Sequence, residues 1–182
     1  VLVLGLEPNL RWPAFCREIV DIAAELGVER AILLGALMAD IPHSRPVPIT
    51  GSAEEAETAE RYGLAESNYE GPTGITAVLQ DAFIRSGIPA LSLWASVPHY
   101  VGHPPNPKAT LALLRRLEDV LHVPIPTGML PEQAEQWEEA IDEMTSDDDD
   151  LGDYVRELEE RHDDEDRDRA PLTEIDGEAL AA

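Results

Sequence analysis

The chain opens on an aliphatic run, Val1-Leu2-Val3-Leu4-Gly5-Leu6, cut off by Glu7-Pro8-Asn9. That is the pattern of a strand buried on both faces and stopped by turn residues. Pro13 then begins a helix in which Phe15, Ile19, Ile22, Ala23 and Leu26 recur at steps of three and four, with Gly27 placed to cap its end. Ala31-Ile32-Leu33-Leu34-Gly35-Ala36-Leu37 reads as a second buried strand, so strand, helix and strand predict a right-handed parallel crossover. Pro42, Pro46, Pro48 and Gly51 predict a long irregular loop over residues 38–52. Ser52 with Glu55 has the spacing of a capping box, and a short, exposed, acidic helix is expected to run from there to about residue 62.

Beyond the Gly71-Pro72-Thr73-Gly74 turn, Ile75, Val78, Leu79, Phe83 and Ile84 mark the inner face of another helix, which ends before Gly87. Residues 90–97, Ala-Leu-Ser-Leu-Trp-Ala-Ser-Val, form a third expected strand, halted by Pro98. Pro104, Pro105 and Pro107 forbid regular structure until an apolar helix over residues 109–121. Strands alternating with helices make this an α/β chain.

Further on, Ala134, Trp137, Ile141 and Met144 share one face of a helix beginning at Pro131, a face that must dock on something. Asp147 to Asp150 interrupt it. Leu151, Tyr154 and Leu158 align on a second acidic helix over about residues 151–161, residues 163–169 read as a solvated or disordered linker, and one more helix is expected over residues 171–180. This divides the chain into a core of residues 1–123 and an acidic, partly flexible helical extension of residues 131–182. No internal repeat interrupts the pattern.

Charge sharpens that division. The formal net charge is −24, yet residues 131–182 hold 22 of the 37 acidic residues and 4 of the 13 basic ones, a net of −18 that leaves −6 for the rest. Such a field repels nucleic acid and anionic membrane surfaces, so neither is an expected partner. No apolar run reaches the length of a membrane span, and residues 1–6 lack the basic flank of a signal peptide, so a soluble, cytoplasmic protein is expected. Cys16 is the single cysteine; it excludes an internal disulfide and reads as a reduced, partly buried thiol inside an amphipathic helix.

Candidate chemistry is sparse. The Gly71–Gly74 turn places free backbone N–H groups at a helix start, where a carboxylate, a phosphate or a partner's chain terminus would be held, although no Gly-Lys-Ser/Thr follows to make it a P-loop. Glu70 to Gly74 are expected at the C-terminal rim of the sheet, where ligands of doubly wound folds sit. Asp40 and His43 follow the second strand, and His99 and Tyr100 follow the third, which gathers them on the same rim as a polar cluster with acid–base capacity. His99 and His103 have metal-ligand spacing only on a helix, and Pro98, Pro104 and Pro105 argue for a loop instead. No nucleophile elbow is present, and Asp147 to Asp153 lack the alternation of a calcium loop, so neither a metal nor a cofactor is expected.

Four motifs in order carry a resemblance: Gly35-Ala36-Leu37-x-Ala39-Asp40-Ile41-Pro42-His43-x-Arg45-Pro46; Tyr69-Glu70-Gly71-Pro72-Thr73-Gly74-Ile75; Ser92-Leu93-Trp94-Ala95-x-Val97-Pro98-His99-Tyr100; and Pro107-Lys108-Ala109-Thr110. Over residues 1–123 the chain resembles the PAC2 family of proteasome-assembly-chaperone-like proteins, its actinobacterial branch in particular. The resemblance implies a three-layer α/β sandwich with a mainly parallel sheet, similar to phosphorylase and peptidyl-tRNA-hydrolase domains, with the acidic helices added. It also implies a homo-oligomer, often a trimer in the family, and proteasome subunits as partners. It implies a strand and helix ahead of Val1, which this chain lacks. Proteasome-binding relatives end in a hydrophobic-Tyr-any tail, whereas this chain ends Leu180-Ala181-Ala182.

The resulting expectation is a protein-interaction or assembly factor rather than an enzyme. Its candidate ligand- or partner-binding residues are Asp40, His43, Glu70, Gly71, Thr73, Gly74, His99 and Lys108, and its candidate partner-helix residues are Trp137, Ile141 and Met144. The alternative is a small-molecule hydrolase, phosphorylase or ligase with a pocket at the sheet rim. A third reading has the acidic extension presenting itself to a basic partner.

Overall fold

The computed structural model describes residues 1–53, 59–60, 62–64, 74–101 and 105–169. Helix α1 spans Trp12–Glu25, started by Pro13 and closed where Gly27 takes a left-handed φ of 66°. Strand β1 (Ala31–Ala39) and strand β3 (Ala90–Pro98) pair in parallel from Ala31 opposite Ala90 to Ala39 opposite Pro98. Between them in sequence lie strand β2 (Ile49–Ala53) and helix α2 (Ile75–Arg85). Helix α3 (Pro107–Leu121), helix α4 (Leu130–Ser146) and helix α5 (Asp149–Arg169) complete the described elements.

The sheet order is β1-β3-β2. β3 is central and buried along nearly its whole length, which explains its uniformly apolar and small residues. The period-two alternation of the strands sends Leu33 and Ala90 to one face, where they pack with Ala23 of α1 and Phe83 of α2. Leu91 and Leu93 point to the other face, against Val120 of α3 with Tyr62 and Leu64. Two glycines are required by close approach: a Cβ at Gly35 would lie 2.4 Å from the Trp94 ring, and one at Gly51 would lie 2.5 Å from the Ser92 carbonyl oxygen.

Four expectations are corrected. Residues 1–6 form no strand; their aliphatic side chains stand 65–96% exposed, because an apolar run becomes a strand only where a neighbour pairs with its backbone, and none does among the described residues. Part of the expected loop is β2, which pairs antiparallel with β3 from Ile49 opposite Ala95 to Ala53 opposite Leu91, so the sheet is mixed rather than mainly parallel. Its five residues carry too little pattern to announce a strand, and the exposed edge of β3 supplies the reason for one. Ser52 consequently caps no helix: its hydroxyl lies 3.0 Å from the Ser92 hydroxyl, and its carbonyl accepts from Gln80. Most of the helix expected there, Glu55 included, lies outside the described residues, as does the one expected over 171–180. Finally, residues 163–169 continue α5 instead of ending it, supported by one-turn ion pairs such as Arg167 with Asp164. No helix among the described residues is long and apolar enough to cross a membrane.

Candidate functional site

Parallel register builds the site. Because Ala39 pairs with Pro98, the next residues of both strands, Asp40 and His99, emerge side by side at the C-terminal rim. His99 Nδ1 lies 3.1 Å from Asp40 Oδ1, and the His99 N–H donates to the Ala39 carbonyl at 3.3 Å. Tyr100, one residue on, reaches across to the turn after β1. Its hydroxyl accepts from the His43 backbone N–H at 2.8 Å and lies 2.8 Å from His43 Nδ1. The other ring nitrogen, Nε2, lies 2.9 Å from Asp142 of α4.

These partners order the protons. A carboxylate only accepts, so His43 Nε2 carries the hydrogen and donates to Asp142, leaving Nδ1 to accept from the Tyr100 hydroxyl. Asp142, His43 and Tyr100 therefore form one relay, with the His43 ring almost wholly buried at its centre. Burial, above all, pushes the Tyr100 hydroxyl up to about 12, which keeps it protonated and able to donate.

Lys108 closes the opposite side. Asn106 caps α3 by accepting from the Ala109 N–H, Pro107 opens the first turn, and Lys108 is thereby aimed at the rim. Its Nζ donates to the His43 carbonyl and pairs with Glu138 of α4, each at 2.5 Å. The turn continues through Ser44, whose hydroxyl donates to Glu159 of α5, and Arg45, whose guanidinium holds Asp163 in a two-pronged pair at 2.8 Å on both prongs. That fork raises the Arg45 guanidinium and pulls the Asp163 carboxyl below its usual range. Tyr154 of α5 lays its ring edge-on to His99 and Tyr100 at centroid separations of 5.6 and 6.2 Å, and burial followed by the nearby Asp40 raises its hydroxyl.

Of the residues singled out from sequence, Asp40, His43, His99 and Lys108 thus come together around Tyr100. Gly74 stands apart: it precedes α2 in an extended conformation, and the Ile75 N–H beside it donates to the Glu7 carboxylate at 2.9 Å, so the anion at this helix start is supplied by the chain itself. Glu70, Gly71 and Thr73 lie outside the described residues, as does His103. Trp137 and Ile141 are half-buried and Met144 is exposed on α4, whose Ala134 is buried as α4 packs on α3. Cys16 is a free, buried thiol that burial pushes up. Sequence reasoning missed Arg45 as a clasp for Glu159 and Asp163, and Glu138, Asp142 and Tyr154 as the counterparts of Lys108, His43 and the His99–Tyr100 rings. No local signal marks them, since Arg45 and Asp163 are separated by 118 positions.

A cavity of about 480 Å³ opens beside the cluster between β2, α3 and α4, with Val47, Ile49 and Leu111 apolar and Lys108, Arg115 and Glu138 charged among its walls. No buried side-chain nitrogen or oxygen is left without a hydrogen-bond partner among the described residues, and no group of three or more His, Cys, Asp or Glu is placed there to hold a metal. Chemically, the rim is a closed network of donors met by carboxylates from α4 and α5.

Residues 1–145 match the PAC2 family. Among solved structures the chain is similar to a PAC2 family protein from Streptomyces avermitilis, with 52% identity and a TM-score of 0.77, covering 83% of this chain and 63% of that one. It is similar also to a proteasome-assembly chaperone homologue from Mycobacterium tuberculosis, with 55% identity and a TM-score of 0.76, covering 83% and 64%. An archaeal homologue of proteasome-assembly chaperone from Pyrococcus furiosus, 21% identical with a TM-score of 0.60 and covering 79% and 64%, shares the fold. The chain therefore spans under two thirds of the length of these proteins. No curated protein matches it.

Proposed function

Starting from the fact that the chain belongs to the PAC2 family, we propose that it is an assembly-chaperone-like protein-interaction factor, with proteasome subunits as the class of partner. The relative from Mycobacterium tuberculosis supports the class, being a proteasome-assembly chaperone homologue at 55% identity. One observation carries the reading: the molecule's unmet demand is apolar. Residues 1–4 and 6, Leu10, Ile22 of α1, Leu26 at its C-terminal cap, and Leu34, Leu37 and Met38 of β1 all leave much of their side chains in solvent. Apolar surface left exposed on that scale is surface that further polypeptide covers, which supports a protein-interaction role. The polar rim, by contrast, already has its partners within the chain.

Self-association into a homo-oligomer and a cytoplasmic location belong to the same reading, as does the division into a core of residues 1–123 and an acidic extension of residues 131–182. So does a three-layer sandwich of the phosphorylase/hydrolase kind: α1 and α2 lie on one face and α3 on the other, which supports it.

Light scattering on the size-separated chain, alone and mixed with proteasome subunits, tests the proposal. A discrete oligomer, or a complex with those subunits, that is lost on Leu37→Glu with Met38→Glu is the expected result. A monomer indifferent to the subunits overturns it.

A further inference from the structure

Helix α5 is held in an unusual way. It carries 11 acidic residues against 4 basic ones, so it repels itself along its length, and among helices and strands it packs appreciably only on α4. Among its described side chains only Val155 and Leu158 are buried, with Tyr154 and His162 half-buried beside them. Its remaining hold on the core is electrostatic and local: Glu159 to Ser44 and Arg45, and Asp163 to the Arg45 fork. Tyr154, Val155, Leu158, Glu159 and Asp163 recur at steps of one, three and four, so a single helix face presents an aromatic ring, two aliphatic side chains and two carboxylates one turn apart.

The receiving surface matches the aromatic and the two carboxylates. Ring edges of His99 and Tyr100 meet the aromatic, and the Ser44 hydroxyl and the Arg45 guanidinium meet the carboxylates. An arginine fork selects paired oxygens by geometry as well as charge, which makes the turn after β1 a recognition element for carboxylates on a helix. In a chain of net charge −24, a surface that gathers such donors is a local exception.

We infer that the rim formed by Ser44, Arg45, His99 and Tyr100 is a docking cradle for an acidic helix of a partner protein, and that α5 is its resident, autoinhibitory occupant. The partner helix offers an aromatic residue followed by carboxylates five and nine positions later, on the pattern of Tyr154, Glu159 and Asp163. The exchange is helix for helix, so the rim donors stay satisfied throughout. This site is distinct from the apolar face of the proposed function, and either can fail without the other.

A fluorescent peptide of residues 149–169 is the probe, and anisotropy on the full chain is the measurement. The loosened variant Glu159→Gln with Asp163→Asn binds the peptide, the wild-type chain binds it about tenfold more weakly because α5 competes, and adding Arg45→Glu to the loosened variant removes binding. Equal binding by wild-type and loosened chains, no binding by either, or binding that survives Arg45→Glu overturns the inference. If the loosened chain fails to fold, the charge swap decides: a peptide carrying Glu159→Lys and Asp163→Lys binds the Arg45→Glu chain if the cradle reads charge at these positions, and its failure to bind overturns the inference equally.

Discussion

The two ends of this molecule solve the problem of surface in opposite ways. At the rim, every strong donor has a carboxylate or carbonyl close by: His43 has Asp142, Lys108 has Glu138, Ser44 has Glu159 and Arg45 has Asp163. On the side of α1 and β1, Leu10, Ile22, Leu26, Leu34, Leu37 and Met38 face water with none of the described residues over them, and residues 1–6 extend the exposure. The rim uses about a fifth of the chain, α4 and α5, to cover polar groups, while no described element covers the apolar side in that way. The difference teaches where to look for a partner: a polar network closed by its own chain is exchanged only against a competitor, whereas bare apolar surface attracts a partner outright.

Five measurements break or sharpen that contrast. The largest effect is expected of His43→Ala, which empties a buried position and strips Asp142 and Tyr100 of their shared partner; urea unfolding should show a loss of about 3 kcal/mol. A midpoint unchanged from the wild type would mean that the relay does not hold α4 to the core. Arg45→Ala comes next, costing below about 1 kcal/mol because the fork is partly exposed, but raising amide exchange selectively along α5. Exchange spread evenly over the chain would deny that Arg45 is a clasp.

Titration separates the two halves of the rim network. The Asp163 carboxyl is held below its usual range by Arg45, so its contribution is present at neutral pH and is lost as pH falls below about 4, with Glu159, His162 and Arg167 as the neighbouring charges. Exchange protection of α5 should fall there, and fall less in Asp163→Asn. Tyr100 runs the other way: its hydroxyl is pushed up to about 12, so the neutral form favours the fold up to the ordinary tyrosine value near 10, and that support drains as pH rises through about 12. Phenolate absorbance should show late-ionising tyrosine, Tyr100 with the raised Tyr154, and the latest part should be absent from Tyr100→Phe; four tyrosines ionising together would place Tyr100 in water. The smallest effect on stability, within about 0.5 kcal/mol, belongs to Leu37→Glu with Met38→Glu, both on exposed positions. Unfolding curves should overlay those of the wild type while association disappears, and a large loss of stability would show that the apolar side is core rather than contact surface.

Much of this was legible along the chain. Local periodicity marks α1, α2, β3, α3 and α4, because each buries a stripe or a face whose spacing is a property of the element itself. Parallel pairing of β1 and β3 follows from the intervening helix, and with it the meeting of Asp40 and His99 at one rim. Where pattern and structure part, the cause is a partner. Residues 1–6 are apolar enough for a strand and have no neighbour to pair with among the described residues, whereas β2 is too polar and short to declare itself and is a strand because β3 offers an edge. Residues 163–169 have the composition of a solvated linker and remain helical, with Asp163 gripped by Arg45 at one end and Arg167 paired with Asp164 within.

Sequence by itself determined the α/β class, the elements with strong periodicity, the acidic character of the C-terminal third and four of the residues that meet at the rim. Only the tertiary structure decided that His43 is the middle of a relay, that α5 folds back over the turn after β1, and that Glu7 covers the start of α2. The physical reason is range. Periodicity, capping and turn chemistry act within a few residues and leave a mark in the local pattern, whereas an ion pair between Arg45 and Asp163 depends on where two distant segments are carried by everything packed between them, and neither residue alone bears any sign of the other.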